Sequence, residues 1–127
     1  MKVLGMISGT SHDGIDVAAL SRTGVRAVIV TPAHQFPLGV TMSLARRTRL
    51  LDWAMGADAW IVEDDYDSEF RFDGRPIEPL QTLDPSGRVI YVGSFSKSLL
   101  ATLRVGFIVA PASLTNVRWV HTLVGTL

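Results

Sequence analysis

The run Ser94-Phe95-Ser96-Lys97, with Arg104 close behind it, carries the most specific chemistry in the chain. It follows the apolar run Val89-Ile90-Tyr91-Val92, which places the lysine just past a strand end. An amine set between hydroxyls and ahead of a guanidinium suits imine formation with an aldehyde cofactor that also carries a phosphate. Upstream, the strand-like run Trp60-Ile61-Val62 leads into Glu63-Asp64-Asp65-Tyr66. Pyridoxal phosphate asks for this combination: an amine for the aldehyde, a carboxylate for the ring nitrogen, a phenol for the ring oxygen, and hydroxyls plus a guanidinium for the phosphate. Ligands of open α/β sheets sit beyond the carboxyl ends of the strands, where Asp64, Tyr66, Ser94 and Lys97 all fall. An ionised Asp64 would keep the pyridine nitrogen protonated, so that the ring withdraws electrons from a substrate's alpha carbon. Tyr66 suits the ring oxygen, and Ser94, Ser96 and Arg104 suit the phosphate.

Each assignment has a plainer competitor. Lys97 alone would be a solvated surface lysine and Arg104 a charge at a strand start; the acidic and tyrosine residues upstream tip the balance toward a site. His34 lies in the loop Thr31 to Gly39, at a strand end, within reach of the same ligand. Glu63, Asp64, Asp65, Asp67 and Glu69 lack the spacing of a calcium loop, and His12, His34 and His121 make no metal-ligand pattern, so no metal is expected. Asp65, Asp67 and Glu69 read as parts of a solvated loop, and His121 as a packing or surface residue. The segment Ser8 to Asp16 is rich in hydroxyls and backbone donors after a strand, but matches neither the Walker pattern nor the dinucleotide fingerprint.

The elements that must hold these groups follow from periodicity and breakers. Residues 2–7, Arg26 to Val30, Ala59 to Val62, Arg88 to Val92 and Val105 to Ala110 read as strands. They are continuous apolar runs, as expected of a parallel α/β sheet covered on both faces. Val17 to Leu20 and Ser96 to Leu100 read as helical turns. Thr41 to Met55 reads as a helix, capped by Thr41 and ended by Gly56, with Leu44, Leu51 and Met55 inward and Arg46, Arg47 and Arg49 largely outward. Ser68 to Ser86, interrupted by Gly74, Pro76, Pro79 and Pro85, is expected to be irregular. Ser113 is expected to cap a last helix bearing Leu114, Val117, Val120 and Val124.

The 127 residues suffice for one domain, and 12 basic residues balance 12 acidic ones, which removes any bulk electrostatic case for nucleic acid or anionic membranes. There are no cysteines, hence no disulfide, thiolate metal site or thiol nucleophile. No run is long enough to span a bilayer and no signal peptide is evident, so a cytoplasmic protein is expected. The hydrophobic share, 47%, is high for a small domain that must also make its own surface, as in a piece of a larger core.

From about Gly14 to Pro111 the chain resembles the aminotransferase domain of MocR/GabR-type regulators, which are fold-type I pyridoxal-phosphate proteins. The residues that carry the resemblance are Val30-Thr31-Pro32-Ala33-His34-Gln35-Phe36-Pro37-Leu38-Gly39, Glu63 to Gly74, Tyr91-Val92-Gly93-Ser94-Phe95-Ser96-Lys97 and Leu103-Arg104-Val105-Gly106-Phe107. The resemblance implies that Lys97 is the Schiff-base lysine, Asp64 the pyridine-nitrogen partner, Tyr66 the ring-oxygen partner, and Ser94, Ser96 and Arg104 phosphate contacts. It also implies a partial fold-type I large domain, α/β with a mostly parallel sheet and flanking helices. The expected ligand is a small amine or amino acid, and a homodimer is possible. Leu38 and Ala101 depart from the family pattern, and the family's DNA-binding domain, early phosphate-binding helix and C-terminal domain have no counterpart here. Full activity is therefore not expected, and a non-catalytic product is one outcome.

Residues 1–16 resemble instead the start of anhydro-N-acetylmuramic acid kinase, a sugar kinase of the actin-like ATPase fold. The expected organisation is a kinase-like strand and loop over 1–16 and a partial aminotransferase large domain over 17–127. A nucleotide-binding remnant is thus the alternative function.

Overall fold

The structure is a computed structural model that describes residues 3–5, 20, 22, 24–33, 40–65, 78–94 and 106–114. Five strands form one sheet in sequential order: β1 (Val3–Gly5), β2 (Ala27–Val30), β3 (Trp60–Asp65), β4 (Val89–Ser94) and β5 (Gly106–Val109). The first four are parallel, and β5 runs antiparallel to β4. The expected mostly parallel α/β sheet is therefore present. The described helices are α1 (Leu44–Gly56), a single turn α2 (Leu80–Leu83) and a 3-10 turn over Ala112–Leu114.

Strand alternation sorts the sheet into two faces. The register sets Val28, Ile61 and Val89 in one row, with Val30 and Glu63 in the next. These side chains are all buried, and the apolar ones pack with Leu50, Trp53 and Ala54 of α1 and Leu80 of α2 in one cluster. Both described helices thus cover the same face. On the other face Ile29 is 39% exposed, Ile108 is 52% exposed, and Val62, Ile90 and Val92 are half-buried. Continuous apolar strands had suggested cover on both faces. Sequential parallel neighbours joined by crossovers of one hand bring their helices to one side, and among the described residues that is what occurs.

Helix α1 corrects two readings. Ser43, not Thr41, is its N-cap residue, and the Thr41 hydroxyl instead donates to the Ala33 carbonyl at 3.2 Å. Leu44 and Met55, expected inside, are 67% and 58% exposed, whereas Arg47, expected outside, is 3% exposed. The inward face is made by Arg47, Leu50, Leu51, Trp53 and Ala54. The arginine can be buried because its fork of donors is satisfied by backbone: Nε by Met42 O at 2.9 Å, Nη2 by Pro32 O at 3.2 Å, and Nη1 by Glu78 O. Pro32 O also accepts from Met42 N–H at 2.9 Å, so the chain leaving β2 and the chain approaching α1 are tied together.

Past α1, Asp58 takes a left-handed conformation (φ 50°) and turns the chain into β3. Its carboxylate holds Arg26 at 2.7 Å and also Arg88, whose guanidinium lies 5.2 Å from the Trp60 ring centroid. These contacts link the amino ends of β2, β3 and β4.

The segment 68–86 was expected to be irregular, yet Leu80–Leu83 is a helical turn. Its first amides are held from outside: Glu63 Oε1 accepts from Leu80 N–H at 2.9 Å and Oε2 from Gln81 N–H at 3.0 Å. A local reading of breakers cannot find a turn stabilised by a distant strand. Asp84 then organises the approach to β4, accepting from the Ser86 amide and hydroxyl at 2.9 and 2.7 Å, from Val89 N–H at 2.8 Å and from Arg88 N–H. Gly87 supplies the positive φ (64°) that this turn requires. Ser113, expected to cap a last helix, lies within the 3-10 turn, and the residues of that expected helix beyond Leu114 lie outside those described.

Candidate functional site

The acidic residues after Val62 were expected to leave the sheet. Instead β3 continues to Asp65, because β4 supplies partners at every step: Glu63 with Tyr91, Asp64 with Val92 and Asp65 with Gly93. Carboxylates have low strand propensity, but three in succession are tolerated here because each has a distinct environment. Glu63 points to the helix face and binds the amides of α2. Asp65, expected in a solvated loop, is half-buried on that same face and accepts from the Tyr91 hydroxyl at 2.7 Å. Asp64 alternates to the opposite face and is half-buried.

Burial perturbs Glu63 and Asp64 in the same direction. Burial pushes the Glu63 carboxyl above its usual value, opposed by the Leu80 and Gln81 amides and by Arg47. Burial also pushes Asp64 up, helped by the charge of neighbouring Asp65. Among the described residues no group donates a hydrogen bond to Asp64. A half-buried carboxylate raised in this way gains from a cationic donor brought to it, which is what a protonated pyridine nitrogen offers.

Ser94 is the last residue of β4 and lies two positions past Val92, the partner of Asp64. Parallel pairing therefore brings the chain entering the Ser94-to-Lys97 run beside the Asp64 strand end, at the carboxyl edge of the sheet where α/β ligands bind. Tyr66, Ser96, Lys97, Arg104 and His34 lie outside the described residues, as does the N-terminal loop from Met6 to Asp16. What the structure adds is the support of the site: Glu63 and Arg47 on the helix face of β3, and Gly93 of β4 against Phe107 of β5.

Gly93 is a close-approach glycine. A Cβ placed there would lie 2.6 and 3.0 Å from the Cε1 and Cε2 carbons of Phe107, and nearer still to Cζ. Phe107 on β5 thus sets the Cζ end of its ring against Gly93, with its ring centroid 5.9 Å from that of Tyr91. The strand expected from the sequence ends at Val92 and gives Gly93 no role; the signal that could have found it is a glycine next to an apolar strand run, which can mark a close approach.

The aminotransferase class I and II family model matches residues 11–125. The chain is 52% identical over 105 residues to the probable rhizopine catabolism regulatory protein MocR of Rhizobium meliloti, covering 83% of this chain and 21% of that protein. It superposes on Pyrococcus horikoshii kynurenine aminotransferase, solved in complex with PMP, with a TM-score of 0.73 and 36% identity, covering 82% of this chain and 28% of that one. It superposes likewise on the α-aminoadipate aminotransferase LysN of Thermus thermophilus, complexed with N-(5'-phosphopyridoxyl)-L-leucine, with a TM-score of 0.72 and 30% identity over 86% of this chain and 34% of that one. The chain thus spans about a fifth of the length of the curated relatives it matches. The chain belongs to the aminotransferase class I and II family, and the cofactor this membership implies is pyridoxal 5'-phosphate.

Proposed function

We propose that this chain is the cofactor-holding segment of an aminotransferase-like protein, and that it binds pyridoxal 5'-phosphate at the carboxyl ends of β3 and β4. One observation carries the reading. Asp64, half-buried and without a described donor, stands one strand away from the end of β4, which leads directly into Ser94-Phe95-Ser96-Lys97. In this assignment Asp64 accepts the proton-bearing ring nitrogen, Tyr66 hydrogen-bonds the ring oxygen, and the Lys97 amine anchors the aldehyde carbon. Ser94, Ser96 and Arg104 take the phosphate, with His34 at the ring. The cofactor, once held, supplies an electron sink for an amine or amino acid substrate. The chain's own contribution is to aim Asp64 at the ring nitrogen, whose positive charge offsets the burial and the Asp65 charge that push this carboxyl up, and to present the Lys97 amine to the aldehyde.

The ligand proposed for the full-length protein is a small amine or amino acid, read either by transamination or as a signal in a regulator of the MocR kind, in a cytoplasmic homodimer. Residues 1–16 are proposed as a segment distinct from the aminotransferase part; β1 nevertheless pairs with β2 in the common sheet.

The test is an absorbance spectrum of the chain titrated with pyridoxal phosphate. A band near the visible, present in the wild type and lost in Lys97→Ala, is the expected result. A spectrum identical in both proteins at millimolar cofactor would refute the assignment.

A further inference from the structure

A buried polar hub lies directly behind Asp64, on the other side of the sheet. Arg47 binds three backbone carbonyls from three segments: Pro32 after β2, Met42 before α1 and Glu78 before α2. Glu63 binds the next stretch of that last segment through the Leu80 and Gln81 amides. Both side chains therefore grip residues 78–81, and the arginine's charge favours the ionised carboxylate beside it. Glu63 and Asp64 are consecutive strand residues, so holding the former toward the helix face holds the latter toward the opposite one. Hydrophobic packing alone would not require this arrangement, because an apolar pair of similar volume at positions 47 and 63 would fill the same space without demanding five backbone partners.

We propose that Arg47 and Glu63 are positioning residues for the cofactor site: together they fix the carboxyl end of β3 so that Asp64 is presented, half-buried, to the ring nitrogen. The proposal rests on the cofactor reading above for what Asp64 contacts, and on the hub alone for how Asp64 is held. Neither residue touches the ligand. They act through backbone, by locking the end of β2, the start of α1 and the approach to α2 against β3.

The test uses the full chain and two readouts. Carbon-detected NMR follows the titration of the Asp64 carboxyl without cofactor, in the wild type, Arg47→Lys, Glu63→Gln and the core control Leu50→Ala. In the two hub variants the strand end loosens, water reaches Asp64, and its titration moves back toward the ordinary carboxylate value. Leu50→Ala lowers stability and leaves Asp64 unmoved. Apparent affinity for pyridoxal phosphate, from the Lys97-dependent band, falls about 10–100-fold in the hub variants, by analogy with the loss on removing residues that orient metal ligands. An Asp64 titration unchanged in both folded hub variants would overturn the proposal. Should Glu63→Gln fail to fold, Arg47→Lys, which keeps the charge and loses the fork, carries the same comparison. Absence of the band in the wild type would count against the cofactor reading alone, since the NMR comparison still decides the hub.

Discussion

Replacing Gly93 by alanine is expected to destabilise the chain by about 1–2 kcal/mol. The added Cβ falls 2.6 and 3.0 Å from two Phe107 ring carbons, whereas carbon atoms in contact prefer about 3.5–4.0 Å. The ring must therefore withdraw by roughly 1 Å, and since Phe107 is half-buried it can do so by tilting outward, at the expense of its contact with Tyr91. Overpacking of this kind typically costs about 1–3 kcal/mol. Against that, alanine loses less conformational entropy than glycine, worth about 0.5–1 kcal/mol. The difference leaves a net loss of about 1–2 kcal/mol, in the lower half of the overpacking range. In urea, with a slope of about 2 kcal/mol/M for a chain of this size, the midpoint should fall by about 0.5–1 M. The decisive measurement is a double-mutant cycle with Phe107→Ala. Once the ring is gone, Gly93→Ala should be neutral or slightly stabilising. If Gly93→Ala costs as much with Phe107→Ala as without it, the steric argument fails and the glycine is required for its backbone alone.

Asp84→Asn is expected to lower stability by about 1–2 kcal/mol at neutral pH, because a carboxylate facing four donors is replaced by an amide that can satisfy only some of them. Burial alone would raise the Asp84 carboxyl, but the Ser86, Val89 and Arg88 donors outweigh it and its folded value lies below 3.8. The stabilisation is therefore full above that pH and lost as pH falls through the lower folded value, so the difference between variant and wild type in denaturation should shrink on acidification. Asp64→Asn should weaken pyridoxal-phosphate binding by about tenfold or more and abolish its rise with pH above 3.8, where the wild-type carboxyl, held high by burial and Asp65, ionises; spectrophotometric titration at several pH values checks both. With both described helices on one face, and Ile29 and Ile108 exposed on the other, the isolated chain is expected to self-associate or bind hydrophobic dyes strongly. Its formal charge of zero offers little repulsion to oppose this. A monomeric, dye-negative protein in sedimentation would show that the face is covered.

Local signals in the sequence were enough to locate the parallel strands and the α1 helix with its end at Gly56. Apolar runs, glycines and prolines act within a few residues of themselves, so they can be read without knowing the fold. The acidic run after Val62 could not be assigned that way: only pairing with β4 decided that Glu63, Asp64 and Asp65 are strand residues facing alternate sides. The side of α1 that faces inward was equally hidden. Periodicity put Leu44 and Met55 inside and Arg47 outside, but the burial of Arg47 depends on carbonyls at Pro32 and Glu78, fifteen and thirty-one positions away. The α2 turn likewise exists where breakers predict none, because its amides find their acceptor on β3. Residue type alone does not settle even apolar burial, since Leu44 and Met55 lie exposed, and the burial of a charge depends further on partners that only the folded chain brings within hydrogen-bonding distance.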